Sequence, residues 1–158
     1  MTPWPAVAAG ILATACLAGN AAVPRLSRPQ SNYLLACGGC HGENGVSNSR
    51  LVPELYGQVG YFLNTPAGRE YLVRLPNVAF ADMNDQDLAE VMNFLVFTLG
   101  AGSAPANASR YSRAEVARLR RRPLNEVSLL RYRGRLIDTL IRRYGASERL
   151  RVYAGTAY

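Results

Sequence analysis

The sequence predicts an all-α fold, because helical periodicity and helix-end signals recur along the chain. Apolar side chains lie at helical spacing over residues 85–98 and again over residues 124–144. Asn84 is a suitable N-cap for the first of these segments, and Gly145 is a suitable C-cap for the second. Residues 31–36 resemble a capped helical turn, and no strand pattern precedes the cysteine pair that follows them. These features favour a fold built from helices.

The N-terminal residues predict export across a membrane. Residues 6–19 are apolar and uncharged, a run too short for a spanning helix of about 20 residues but suited to a secretory signal. Small residues stand at positions 19 and 21, so residues 1–21 are expected to form a signal peptide removed after Ala21. Lipidation of Cys16 and retention of this segment as an N-terminal anchor remain open. All three outcomes place the rest of the chain outside the cytoplasm, in the periplasm.

Charge is distributed unevenly along the chain. The formal net charge is +7, and all 18 basic residues are arginines. Residues 101–158 hold 13 arginines against 4 acidic residues, whereas residues 1–100 hold 5 arginines against 7 acidic residues. The basic part is either the solvated side of helices or a docking surface for an acidic partner or anionic lipid. Nucleic acid is not an expected partner, because an exported protein rarely meets it.

One five-residue motif carries specific chemistry, Cys37-Gly38-Gly39-Cys40-His41. This CxxCH spacing is typical of covalent c-type haem attachment. The two thiols reach the vinyl groups on one porphyrin edge, and His41 then lies beneath the iron as a ligand. A thioredoxin-like site is not favoured, because its CxxC normally follows a strand. A zinc site would need further ligands, and His41 is the only histidine in the chain. The motif therefore predicts one covalent haem c with iron.

The order of segments around this motif resembles the class I monohaem cytochrome c family. In that family a CxxCH helix is followed by a loop with a Pro-x-Leu segment, a short helix, a Met-bearing loop and a final amphipathic helix. The corresponding segments here are Cys37–His41, residues 52–57, residues 60–63 and the helix at 85–98. The resemblance covers about residues 30–100 and implies a small cytochrome c-like haem domain.

The resemblance also implies roles for individual residues. The carbonyl of Pro53 would accept the second ring N–H of His41, which fixes the imidazole tautomer. Met83, in the loop before the final helix, would be the sixth iron ligand. Met92 lies among apolar residues at helical spacing and is expected to pack in the core. An iron without a sulfur ligand remains open. The side chains expected around the haem are Leu34, Leu55, Tyr56, Phe62, Phe80, Leu88 and Phe94.

The chain of 158 residues is long enough for one modest domain with appendages. We expect the haem domain over residues 28–100, followed by a linker rich in Gly and Ala at 101–112. A basic two-helix extension at 113–145 and a tail at 146–158 would complete the chain. The predicted architecture is therefore a small haem domain with a C-terminal helical extension.

The extension carries helix signals of its own. Ser112 and Glu115 have the spacing of a capping box, and Pro123 should end the first helix near Arg122. The second helix is expected over Leu124–Tyr144, and its apolar stripe needs a partner surface. The haem domain is the first choice for that surface, before a partner subunit or a membrane. The stripe consists of Val127, Leu130, Ile137 and Ile141. The arginines expected to stay exposed are Arg118, Arg121, Arg131, Arg135 and Arg142.

These features predict an electron-transfer protein and not an enzyme. It would carry single electrons from a periplasmic or membrane donor, such as a dehydrogenase or quinol-oxidising complex, to an oxidase or another cytochrome. The sequence has no second CxxCH, and its one histidine leaves none for a Ser-His-Asp arrangement. Two alternatives remain open. One is a five-coordinate haem protein that binds a gas or peroxide. The other is a haem-relay subunit of a larger respiratory or dehydrogenase complex, attached through the N-terminus or the basic extension.

Overall fold

The computed structural model describes residues 25–47 and 51–152, and the regular elements in these ranges are all helical. The all-α prediction is therefore confirmed. The expected signal peptide, Cys16 and the end of the expected tail, from residue 153, lie outside the described residues. In the described ranges, no helix combines the length and the apolar character needed to span a membrane.

Seven α-helices, joined by shorter π and 3-10 segments, make up the described fold. The α-helices are α1 (Arg28–Tyr33), α2 (Gly39–His41), α3 (Pro66–Arg74), α4 (Pro76–Ala79), α5 (Asp85–Phe94), α6 (Arg113–Arg120) and α7 (Leu129–Tyr144). The π-helical segments are Leu34–Gly38 and Leu95–Leu99, and the 3-10 segments are Val59–Asn64 and Glu148–Arg151.

The cysteine motif lies at the end of a continuous helical stretch that begins earlier than the sequence predicted. The hydroxyl of Ser27 accepts a hydrogen bond from the Gln30 amide at 3.4 Å and so caps α1. The helix continues through the π segment into α2 and ends at Gly42, whose φ of +74° favours glycine. The capped turn expected at residues 31–36 is thus the middle of a longer helix. This helix holds both cysteines and His41 in fixed relative positions.

Helix α5 forms the centre of the core and confirms its predicted start. The Asn84 side chain accepts hydrogen bonds from the amides of Gln86 and Asp87 at 3.0 and 2.9 Å, as an N-cap does. The π segment then prolongs the helix to Leu99. Buried side chains recur along the α5 region at helical spacing: Leu88, Val91, Met92, Leu95 and Val96. The helix packs against α1 on one side and α6 on another.

The segment expected as a linker is anchored to α5 instead. The side-chain amide of Asn93 donates to the Tyr111 carbonyl at 2.9 Å and accepts from the Tyr111 amide at 2.8 Å. The ring of Tyr111 is buried, and its hydroxyl donates to the Arg69 carbonyl at 2.8 Å. These contacts join α3, α5 and the chain entering α6, so residues 101–112 are not a free connection.

The C-terminal helices pack onto the rest of the protein. Ser112 caps α6 by accepting from the Glu115 amide at 3.2 Å, as the capping-box spacing predicted. Ser128 caps α7, so this helix begins at Leu129 and the predicted start at Leu124 is wrong. Val127 precedes the cap and is fully exposed, so it does not belong to the apolar stripe.

The buried apolar side chains of α6 and α7 belong to the same hydrophobic core as those of α5. Leu119, Ile137 and Leu140 are almost completely buried and join the cluster that contains Val96 and Tyr33. The ring of Tyr132 on α7 stacks on that of Tyr71 on α3, with centroids 5.9 Å apart. The five arginines expected to stay exposed are all exposed: Arg118, Arg121, Arg131, Arg135 and Arg142.

Candidate haem site

His41 is held by a hydrogen bond to the loop that follows the motif. Its Nδ1 lies 3.0 Å from the Pro53 carbonyl oxygen, and because a carbonyl only accepts, Nδ1 carries the proton. The lone pair of Nε2 is then free to bind a metal. Burial lowers the pKa of His41 more than the hydrogen bond to Pro53 raises it. Burial therefore favours the neutral imidazole, which is the form that ligates iron.

The loop carrying Pro53 is fixed by backbone hydrogen bonds. The carbonyl of Gly45 accepts from the amides of Leu55 and Tyr56 at 2.8 and 3.0 Å. Gly45 has a φ of +76°, and a side chain at that position would meet the Tyr56 backbone. Gly57, which follows Tyr56 in the chain, donates from its amide to the Leu99 carbonyl at 2.9 Å. The loop therefore presents the Pro53 carbonyl to His41 from a rigid base.

The two cysteines lie on the same helical stretch but in different environments. Cys37 is partly buried and packs against the core, whereas Cys40 is exposed. Burial raises the pKa of the Cys37 thiol, and the nearby Cys40 raises it further. The hydroxyl of Tyr33 donates to the Gly42 carbonyl at 2.5 Å and ties down the end of the motif helix.

A mostly apolar cavity of about 110 Å³ lies beside Cys37 and His41. Its other lining residues are Pro53, Glu54, Leu55, Val59, Phe62, Tyr71, Leu72, Leu75, Val78, Met92, Leu95, Arg133 and Leu150. A wider cleft of about 330 Å³ adjoins it and is lined by Cys40 and again by His41. The two spaces share part of their walls: Pro53, Tyr71, Leu75, Val78 and Arg133.

These residues fit a covalently bound haem. Two thiols and one oriented imidazole border the same pair of connected spaces, and the walls supply the apolar surroundings that a porphyrin requires. A metal site of the zinc type is not supported, because no group of three His, Cys, Asp or Glu side chains is close enough together in the described ranges. Cys37 and Cys40 would hold the group, and His41 would ligate its iron.

The expected lining residues divide into two sets. Pro53, Leu55 and Phe62 line the cavity, as expected. Tyr56 and Phe94 do not line it and are corrections to the expected set. Tyr56 is half exposed because it enters the tight turn at Gly57. Phe94 faces the opposite side of α5 from Met92, and its ring packs on that of Tyr33 at 5.6 Å. Three further residues expected in the pocket also lie outside both spaces, namely Leu34, Phe80 and Leu88.

The structure places Met83 away from the cavity that His41 borders. Met83 packs partly buried against the core and lines a surface pocket together with Asn32, Leu35 and Ala36. Met92, on α5, lines the cavity beside His41, and its side chain is buried in the core. Met83 is thus absent from the walls of both spaces that His41 borders.

Several cavity residues were missed by the sequence interpretation. Tyr71 and Leu72 lie on α3, and Leu75 follows its last residue. Leu72 and Leu75 are one and four residues after Tyr71, and this helical spacing could have identified all three as one apolar face. Leu129, Leu130, Arg133 and Leu150 come from the C-terminal part of the chain. The apolar stripe had pointed to Leu130 as a residue that packs on the haem domain, but no sequence signal placed Arg133 or Leu150 there, because their position depends on how α7 docks.

Two curated proteins are similar to this chain, and both are named cytochrome c-552 from Thermus thermophilus. Each is 26% identical over 118 aligned residues, which cover 63% of this chain and 90% or 80% of the relative. No protein-family model matches the chain, and no solved structure matches it. This distant homology supports a c-type cytochrome, in agreement with the motif and the cavity.

Proposed function

We propose that this protein is a monohaem c-type cytochrome that carries single electrons. The observation that carries the proposal is the contact between His41 and the Pro53 carbonyl at 3.0 Å, made beside an apolar cavity that Cys37 also lines. The homology to cytochrome c-552 supports the same interpretation. The class I family is the specific assignment we favour, since the order of segments over about residues 30–100 resembles it.

Each residue of the site has a physical task in this proposal. Cys37 and Cys40 would form two thioether bonds, which keep the haem on an exported protein. His41 would bind the iron through Nε2, with its orientation set by Pro53. Bound haem supplies iron that accepts and returns one electron. The apolar walls, among them Leu55, exclude water and so keep the reorganisation on electron transfer small.

The setting of the reaction follows from the sequence. Export through residues 1–21 would place the protein in the periplasm or on the outer face of a membrane. The donor would be a dehydrogenase or a quinol-oxidising complex, and the acceptor an oxidase or another cytochrome. The exposed arginines of α6 and α7 would favour an acidic partner by long-range attraction.

A second candidate function is supported by the position of Met83. Because Met83 lines a pocket separate from the His41 cavity, the iron would have five ligands in this arrangement. A five-coordinate haem binds gases or peroxide at the open position. Sixth ligation by Met83 would require the loop before α5 to bring the sulfur to the iron.

Absorption spectroscopy on the purified protein tests the first proposal against the second. Ligation by Met83 predicts a sulfur-to-iron charge-transfer band in the ferric protein and slow CO binding to the ferrous protein. Met83→Ala should then abolish the band, lower the reduction potential and speed CO binding, whereas Met92→Leu should preserve all three properties. A wild-type protein that lacks the band and binds CO rapidly would support the five-coordinate function instead.

A further inference from the structure

Helix α7 carries one arginine that does not face solvent. Arg133 is only 5% exposed, while its neighbours Arg131 and Arg135 on the same helix are exposed. Arg133 lines both the cavity beside Cys37 and the cleft beside Cys40, as His41 does. The helix that was expected to present its basic residues to solvent or to a partner therefore places a cation at the haem site.

Local packing fixes where this guanidinium lies. Its Nη1 donates to the Leu150 carbonyl at 3.0 Å, which ties α7 to the 3-10 segment after it. Gly134 is buried beside it, and Tyr132 stacks on Tyr71, itself a residue of the cavity wall. Arg133 is thus held by helix packing on one side and by Leu150 on the other.

A buried guanidinium attracts anionic groups strongly. Opposite charges interact more strongly away from water than at an exposed surface. The planar fork of donors on an arginine also matches a carboxylate in two parallel hydrogen bonds. A haem brings two ionised propionates, and these are its only charged peripheral groups. The cavity walls that Arg133 shares with His41 are otherwise mostly apolar, so a propionate placed there would meet few other cations.

We propose that Arg133 binds a propionate carboxylate of the haem, so that the C-terminal extension is part of the haem site. This inference rests on the proposed haem function. A cation next to the haem stabilises the reduced form, which carries one positive charge less than the oxidised form. Arg133 therefore raises the reduction potential, in addition to its contribution to packing. The contact makes the reduction potential of the haem depend on α7, a helix that lies outside the segments that resemble the class I family.

The test compares Arg133→Gln with the matched control Arg131→Gln in the full-length haem-loaded protein. Redox titration should show that Arg133→Gln lowers the equilibrium constant for reduction about tenfold, which is about 59 mV for one electron. Arg131→Gln should leave this constant within about twofold of wild type, because its charge is exposed and screened. Resonance Raman spectra should show the propionate bending mode shifted in Arg133→Gln alone.

The outcomes separate the propionate contact from simple packing and from the haem proposal. A folded Arg133→Gln protein with an unchanged potential and an unchanged propionate mode would overturn the contact. If Arg133→Gln fails to retain haem, Arg133→Lys decides: the restored charge should recover haem loading and a potential close to wild type, and a haem-free Lys variant would contradict the proposal. A wild-type protein without covalent haem would instead overturn the proposed function itself.

Discussion

At the scale of single residues, the site depends on three side chains that one helical stretch holds together. Cys37, Cys40 and His41 follow α1 without a break, so their relative positions are set by backbone hydrogen bonds before any haem arrives. The Pro53 carbonyl then selects the Nδ1–H tautomer of the imidazole. The arrangement prepares the protein for attachment and ligation with little rearrangement of the polypeptide.

Replacing either cysteine by alanine should weaken attachment without preventing folding of the helix. One thioether would remain in Cys37→Ala or Cys40→Ala, so we expect the yield of bound haem to fall several-fold. Cys37→Ala should be the more damaging change, because Cys37 lines the cavity and packs against the core while Cys40 is exposed. Acid–acetone extraction followed by quantification of protein-bound haem measures the effect.

Cys16→Ala is the control for this pair, because Cys16 lies outside the motif. It should leave the amount of haem bound per exported protein unchanged. Wild-type protein that releases all of its haem into acid–acetone would disprove covalent attachment and with it the c-type assignment.

The residues of the motif could be predicted from sequence because their chemistry demands a fixed spacing, whereas the cavity walls could not. His41 was found in this way. The resemblance to the class I family pointed to Pro53 as its partner, and their contact is present. Tyr56 and Phe94 were expected at the haem on apolar character alone, and the turn at Gly57 and the phase of α5 place them elsewhere. Whether an apolar side chain faces the haem depends on the angles at which the helices pack, and a single sequence does not specify these angles.

At the scale of elements, the loop between α4 and α5 is held by an arginine from the extension. Arg120 on α6 donates from Nε to the Ala79 carbonyl at 2.9 Å and from Nη2 to the Ala81 carbonyl at 2.7 Å. Its Nη1 donates to the Met83 carbonyl at 2.7 Å and reaches Asp85 at 3.2 Å. One side chain thus binds the last carbonyl of α4 and two carbonyls of the irregular loop that follows it.

Arg120→Ala should destabilise the protein by about 3 kcal/mol, because it leaves three carbonyls, at the end of α4 and in the loop after it, without their charged donor. Chemical denaturation followed by circular dichroism measures the loss in free energy of unfolding. Arg121→Ala is the matched control and should change stability by less than about 0.5 kcal/mol, since Arg121 is exposed. Equal effects of the two substitutions would mean that the Arg120 contacts contribute nothing specific.

Element ends were predictable where a local signal sets them and unpredictable where tertiary contacts do. Asn84 caps α5 as expected, since the cap is a property of a few adjacent residues. The predicted start of α7 was five residues too early. Pro123 suggested that the helix begins at Leu124, but Ser128 caps it and it begins at Leu129. The expected linker was misread for a different reason: Asn93, distant in sequence, binds the Tyr111 backbone.

At the scale of the whole molecule, the basic extension and the haem domain share one core. Val116, Leu119, Ile137 and Leu140 are each at most 1% exposed and pack in the cluster that includes the α5 residues. The last 3-10 segment adds a further link, because Arg149 binds the Glu54 carboxylate at 2.8 and 3.0 Å next to Pro53. The apolar side of the extension is therefore used for packing, and only its arginine-rich side remains for an acidic partner.

Truncation after Gly102 should consequently abolish the native fold. The cut removes the partners of α3 and α5 and uncovers core side chains whose burial stabilises the protein by about 1.5–3 kcal/mol each. About five such losses together equal the roughly 5–15 kcal/mol by which a domain is stable. We expect no cooperative thermal transition, strong binding of a hydrophobic dye and little covalent haem. Val127→Ser, a change at a fully exposed extension residue, should unfold like wild type. A truncated protein that folds cooperatively and keeps the wild-type haem spectrum would show that the extension is dispensable for the core, and its arginines would then be better explained as a docking element alone.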